Sequence, residues 1–116
     1  MSDFVKQKPI NIRDKETGEV KYTLEFNRKT IRMAEQQGMN LNELGSKPLS
    51  VSQQLFYYAF KMHHRFIEKT VTDELLAELG GIQNEELFNA LLKLYDQGMG
   101  SMTDGEEKNS KYALDL

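Results

Sequence analysis

Apolar and polar residues alternate near the start of the chain, in two short runs separated by a polar turn that contains Gly18. A period of two places every second side chain on one face of a strand. The pattern predicts a β-hairpin over about residues 8–26 with one buried face. Because two strands alone are marginal in water, the hairpin needs support from helices or from another sheet edge. The alternating apolar residues are Ile10, Ile12, Val20, Tyr22, Leu24 and Phe26.

Between residues 28 and 97 the apolar residues recur at spacings of three and four, which is the period of a core-facing helix stripe. A side chain that can cap the first turn stands at each predicted helix start. These caps are Asn27, Ser50 or Ser52, Thr72 and Asn84. Pro48 argues against helix directly before it, and glycines follow three of the helices, where they can end them. The helices are predicted over residues 28–37, 51–67, 73–79 and 85–97.

After residue 97 the composition changes to glycine, serine and charged residues without a period, and only a short apolar group follows at residues 112–116. Such composition is typical of disordered segments. The length of 116 residues suits one domain. The sequence therefore predicts an α+β fold in which an N-terminal β-hairpin packs on a small bundle of about four helices. This globular domain would span residues 1–97, and a flexible, disordered C-terminal tail would span residues 98–116.

The predicted helix 51–67 carries the strongest apolar stripe and both histidines of the chain. His63 falls on the stripe, which favours a hydrogen-bonded core histidine, and His64 falls on the other side, which favours solvent. Adjacent helical residues point about 100° apart, whereas a helical metal pair needs a spacing of four. We therefore expect no metal site here. The stripe consists of Leu55, Phe56, Ala59, Phe60, His63, Phe66 and Ile67.

Charge and motifs exclude several classes of function. The net charge is −3, and cations and anions are interspersed, which argues against nucleic acid as the main partner. The absence of cysteine excludes disulfides and thiolate chemistry. No apolar run reaches the roughly 18 residues of a membrane span, and no apolar leader opens the chain. Glycine-rich phosphate loops and nucleophile motifs are also absent. We expect a soluble protein that is not an enzyme and binds no cofactor, nucleic acid or membrane.

One flank of the predicted helix 51–67 carries Tyr57, Tyr58, Met62 and Arg65. Two interpretations remain open. Other helices of the same chain cover both flanks, as for an internal helix, or this flank docks a helix of a partner or of a second copy. Tyrosine and arginine dominate protein interfaces, and one small cationic patch gives little drive for phosphate binding. The four residues are therefore candidate protein-binding residues.

The order of elements and several local stretches resemble a known family. The stretches GSKPLSVSQQLFYYAFKMHH, TDELLAELGG and EELFNALLKLY follow the hairpin and its Asn-capped helix, and YTLEFNRKTIRMAEQQG forms the junction between strand and helix. Together they resemble small tail assembly chaperones of long-tailed, siphovirus-type phages and prophages of Gram-positive bacteria. The resemblance covers about residues 8–97 and includes no catalytic signature.

The resemblance implies a role in virion morphogenesis. Members of that family coat the long, aggregation-prone tape measure protein, help recruit tail tube protein around it, and self-associate. They are not enzymes, act in the cytoplasm of the bacterial host and are absent from the mature virion. The alternative is a structural minor tail or head-tail completion protein, whose hairpin would add to a neighbour's sheet. A DNA-binding regulator would need a basic recognition helix, which the predicted helices do not supply.

The resemblance also implies a possible frameshift near the end of the gene, because many such genes are read in part by a minus-one shift. Codons GAA-AAA-AAC for Glu107, Lys108 and Asn109 would form the slippery run A-AAA-AAC. The expectation of a longer minor product fails if the gene has neither this run nor an overlapping downstream frame.

Overall fold

The computed structural model describes residues 7–100. Within this part of the chain, an antiparallel hairpin is followed by four α-helices, which confirms the predicted α+β class. No helix in it is long and apolar enough to cross a membrane. The strands are β1 (Ile10–Arg13) and β2 (Val20–Leu24), and the helices are α1 (Arg28–Gln36), α2 (Pro48–Phe60), α3 (Lys69–Glu78) and α4 (Glu85–Gly100). Short 3-10 helices at Leu41–Glu43 and Gly81–Gln83 lie in the connections.

The hairpin pairs Ile10 with Leu24 and has an irregular register next to Arg13. Its turn is held by the Asp14 carboxylate, whose Oδ1 accepts hydrogen bonds from the backbone of Glu16 and Thr17 at 2.8 and 3.0 Å. Bonds from backbone N–H groups favour the ionised carboxylate, so they lower the pKa of Asp14. Leu24 is fully buried, but Val20 at the other end of β2 is exposed, so the predicted buried face covers only part of the strand.

The core lies around α2, whose last turns are covered by the hairpin and by the other helices. Phe60 contacts Phe56 and Tyr22 edge to face, with ring centroids 5.0 and 5.3 Å apart. The backbone N–H of Glu25, just after β2, donates to the carbonyl of Ala59 at 2.9 Å and ties the hairpin to α2. The fully buried large side chains of this core are Leu24, Leu55, Phe56, Phe60, Leu91 and Leu94.

Two of the predicted helix caps are confirmed. The Asn27 side chain accepts from the backbone N–H of Thr30 at 2.9 Å, and the Thr30 hydroxyl accepts from Asn27 N at 3.0 Å, so the cap of α1 is reciprocal. Asn84 Oδ1 accepts from Leu87 N at 3.1 Å at the start of α4. Short polar side chains satisfy amides of the first turn that have no partner within the helix.

The predicted starts of the other two helices were wrong. Helix α2 begins at Pro48, with Lys47 at the cap position. Proline suits the first position of a helix, because an N–H there would have no acceptor within the helix. Helix α3 begins at Lys69, so Thr72 lies inside it. The buried Thr72 hydroxyl donates to the carbonyl of Lys69 at 3.0 Å and thus stays satisfied without serving as a cap.

The predicted ends of two helices also differ from the structure. Helix α2 stops at Phe60 instead of residue 67. Helix α4 continues to Gly100, so the predicted tail does not start at residue 98. A Cβ at Gly98 would lie 2.5 Å from Ile31 Cδ1 and 3.3 Å from Phe26 Cβ. This glycine lets α4 approach the junction of β2 and α1 closely, where a larger residue would be excluded. The remainder of the predicted tail, residues 101–116, lies outside the described residues.

Candidate protein-binding surface

The segment that joins α2 to α3, residues 61–68, is attached to the hairpin by both histidines. Thr23 N donates to His64 Nε2 at 3.0 Å, and His63 Nε2 lies 2.9 Å from Glu25 Oε1. The backbone N–H of His64 still donates to Phe60 O at 2.8 Å, as in a final helical turn. The helix thus stops where these side chains bond to the hairpin. This is an effect of tertiary structure, which local helix propensity cannot predict.

The predicted environments of the two histidines were therefore wrong. His63 is exposed and pairs with Glu25, whereas His64 is half-buried. The His64 ring packs edge to face on Tyr22, with centroids 5.4 Å apart. To accept the Thr23 amide, Nε2 must carry no proton. Burial, and second the nearby charge of His63, lower the pKa of His64, which agrees with a neutral ring.

The four candidate binding residues do not share one surface. Tyr58 is buried, with 8% of its surface exposed, and burial raises its pKa. This burial fits the interpretation that other elements of the chain cover that side of α2. Tyr57 is half-buried and packs edge to face on Tyr58, with centroids 4.9 Å apart. Of the four, only Met62 and Arg65 reach a common groove.

That groove has a volume of about 350 Å³ and runs between α1 and the segment 61–68. Its apolar side chains are Met33, Met62 and Phe66, and we call it the methionine groove. Phe66 is 88% exposed, the highest value among the large apolar residues of the part described, and Met62 is 36% exposed. Among the described residues, the lining consists of Asn27, Lys29, Thr30, Met33, Lys61, Met62, Arg65 and Phe66.

Cations form the rim of the methionine groove. The Arg65 guanidinium lies 5.4 Å from the centre of the Phe66 ring. Lys61 Nζ donates to the carbonyl of Arg65 at 2.9 Å and lies 4.7 Å from the centre of the Tyr57 ring. Lys29 is exposed in the first turn of α1. No acidic residue lines the groove, and none of the three cations forms an ion pair with a carboxylate within residues 7–100.

Sequence reasoning missed Phe66 and Met33 as surface residues. Phe66 continues the period of three and four of the central stripe, so a helix through residue 67 would have buried it. Because α2 ends at Phe60, that period no longer determines where the side chain points. Met33 lies two positions after Ile31 and one before Ala34, so the helical period does not show whether it shares their face. The sequence signal that remains is the density of methionine and phenylalanine beside lysine and arginine in residues 61–66.

A metal site or a pair of titratable side chains would be another kind of functional site in residues 7–100. Residues 7–100 contain no group of three or more histidine, aspartate or glutamate side chains that could hold a metal ion. His63 and Glu25 form a single exposed pair. The arrangement at the methionine groove can bind apolar side chains in its centre and anionic groups at its rim.

Comparison with known proteins places the whole sequence in one family. A family model described as a domain of unknown function (DUF5055) matches residues 1–116. The chain belongs to this family. Neither the curated proteins nor the solved structures gave a match.

Proposed function

We propose that this protein is a tail assembly chaperone of a siphovirus-type phage or prophage. It binds the tape measure protein and helps recruit tail tube subunits during tail morphogenesis. The observation that supports the proposal best is the methionine groove, with Phe66 88% exposed beside Met33 and Met62. Flexible thioether side chains adapt to many slightly different apolar faces, as a chaperone of a long repetitive helix requires.

The size of the groove favours weak and reversible contacts. A groove of about 350 Å³ encloses only a short part of a helix, so each contact is expected to be weak compared with a standard interface. Many copies placed along one long chain would still coat it, because linked weak contacts raise the overall affinity. Release is then possible when tube subunits replace the chaperone.

The resemblance of residues 8–97 to tail assembly chaperones supplies the rest of the proposal. It implies a protein without enzymatic activity or cofactor that acts in the cytoplasm of a Gram-positive host. It also implies self-association on the tape measure protein and absence from the mature virion. The family match assigns no activity of its own, so these statements rest on the resemblance and on the exposed apolar groove.

Co-expression with fragments of the tape measure protein tests the proposal. The wild-type protein should keep such fragments soluble and co-elute with them, whereas Phe66→Ser should lose both effects. Leu49→Ser is the matched control, because Leu49 is an apolar residue that is 66% exposed outside the groove. If no tape measure fragment becomes more soluble at high concentrations of both proteins, the chaperone role is wrong.

A second candidate is a structural minor tail or head-tail completion protein. The observation in its favour is the two-stranded sheet, in which β1 has a partner on one side only within residues 7–100. An edge of this kind can add to a neighbour's sheet. Mass spectrometry of purified particles separates the candidates, because a chaperone is missing from them and a structural protein is present.

A further inference from the structure

We infer that the methionine groove selects helices whose apolar stripe is flanked by glutamate or aspartate. This inference deepens the proposed function and rests on it, because it names the chemistry of the partner at the same surface. It depends on the distribution of charge around the groove and on the placement of Lys29 and Arg65, which the exposure of Phe66 alone does not explain.

The groove has the opposite charge sign to the protein as a whole. The chain carries a net charge of −3, yet Lys29, Lys61 and Arg65 stand at the rim, and no carboxylate of residues 7–100 lines the groove. The local positive field is therefore not an average property of the surface. Complementary charge at the edge of an apolar contact increases specificity and the rate of association.

Arg65 lies where it can contact residues that flank an apolar anchor. Its guanidinium is 5.4 Å from the centre of the Phe66 ring. A helix that packs an apolar side chain against Phe66 brings its residues three and four positions away onto the same face. A carboxylate at one of these positions can receive two parallel hydrogen bonds from arginine.

Lys29 is placed against the preference of its own helix. It is the second residue of α1, and the positive end of the helix dipole there favours anions and disfavours cations. Among residues 7–100 no carboxylate pairs with Lys29. A side chain that opposes a local rule, with no compensating partner in the described part of the chain, is typical of a functional position. Its ammonium is available to an anionic group in the groove.

A protein helix fits these features better than phosphate ligands do. The centre of the groove is apolar, and three cations provide only a small electrostatic drive for a phosphate backbone. The partner is therefore a helix with a mixed apolar and acidic face.

Two model peptides of identical apolar stripe provide the test. Each has about 20 residues, the length of a helix about 30 Å long, with leucine and methionine at core spacing. One carries glutamate at all flanking positions and the other carries lysine. Binding to the full-length protein is measured by fluorescence anisotropy at low and high salt. The acidic peptide should bind about tenfold tighter or more, and added salt should reduce this preference.

Charge reversal at the rim sharpens the test. The double variant Lys29→Glu with Arg65→Glu should weaken binding of the acidic peptide about tenfold, since each exposed pair contributes up to about fivefold. The same variant should strengthen binding of the basic peptide. Lys15→Glu with Lys93→Glu is the matched control, because it changes the net charge equally at exposed lysines outside the groove.

The outcomes separate the inference from the proposed function. If Phe66→Ser abolishes binding of tape measure fragments while rim reversal leaves the peptide preference unchanged, the charge inference is overturned and the chaperone role stands. If rim reversal inverts the preference but no tape measure fragment is solubilised, the groove chemistry stands and the phage role falls. If the acidic peptide binds only after residues 112–116 are removed, the groove belongs to the chain's own terminal segment and the inferred partner is wrong.

Discussion

Residues 55–60 and residues 61–66 are neighbours in sequence and share one apolar period, yet their large apolar side chains differ in burial. Leu55, Phe56 and Phe60 are fully buried, whereas Phe66 is 88% exposed. The first group stays on a helix that faces the core, and the second follows the end of that helix at Phe60. An apolar residue therefore contributes to a core only if the backbone continues to point it there.

Phe60 and Phe66 should differ strongly in their contribution to the free energy of unfolding. Phe60→Ala should lower the free energy of unfolding by about 3–5 kcal/mol, because it removes a buried ring and leaves a cavity. Phe66→Ala should change it by no more than about 0.5 kcal/mol, since little of that ring is packed. Urea denaturation monitored by circular dichroism measures both. Similar losses for the two variants would show that Phe66 is a core residue and that the methionine groove is covered.

Gly98 lies where α4 closely approaches Ile31 and Phe26. Gly98→Ala should destabilise by about 1–3 kcal/mol, because the added Cβ overlaps Ile31 Cδ1. Ile31→Val removes that Cδ1 atom, so it should recover part of the loss in the double variant. Gly45→Ala, with no heavy atom within 4 Å of the added Cβ, is the control. Additive losses would mean that the predicted contact is not the cause.

His64, one of the two histidines that attach residues 61–68 to the hairpin, makes the stability of the protein sensitive to pH. Because the pKa of His64 is lowered in the fold, its contribution to stability is complete above about 6.5, the pKa expected for the unfolded chain. It is lost as pH falls through the lower value of the fold. Asp14, whose pKa is also lowered, stays ionised in this range and does not contribute.

Urea midpoints at about pH 7.5 and pH 5.5 measure this effect. At the lower pH the free energy of unfolding of the wild type should fall by about 1 kcal/mol, the contribution of one hydrogen bond. Its urea midpoint should fall accordingly. His64→Gln keeps an acceptor that does not titrate, so its midpoint should fall less. An equal fall in both proteins would show that His64 does not control the pH dependence.

Substitution of Lys29 should change the stability of the protein only slightly. Lys29→Glu should stabilise the protein by about 0.5 kcal/mol, because it places an anion at the start of α1. Its thermal unfolding midpoint should therefore rise slightly. Lys93→Glu, with the same change of charge in the middle of α4, should not produce this gain. A loss of stability in Lys29→Glu would indicate that Lys29 supports the fold and would remove one reason to assign it to binding.

Local features of the sequence predicted much of the fold. Alternation predicted the hairpin, and Asn27 and Asn84 predicted two helix starts, because each of these signals acts between residues close in the chain. The end of α2 could not be predicted in this way. It depends on bonds from His63 and His64 to Glu25 and Thr23, which lie about forty positions earlier.

The candidate site was predicted only in part, for the same reason. Met62 and Arg65 reach the methionine groove, but Tyr58 is buried because helical period alone does not tell which flank of α2 its neighbours cover. Phe66 and Lys29 come together at one groove only through the packing of α1 beside the segment 61–68. No spacing within the sequence encodes that contact.

The bonds to Thr23 and Glu25 have a further consequence for how the sheet can grow. The backbone N–H groups of these two residues point to the same side, because the residues lie two positions apart. Their acceptors are not on β1, so this side faces away from β1. The N–H of Thr23 is occupied by the imidazole of His64 and that of Glu25 by the carbonyl of Ala59. This side of β2 is therefore closed to strand addition, which protects the hairpin from edge-to-edge aggregation. A chain that aligned along the hairpin would have to do so at β1.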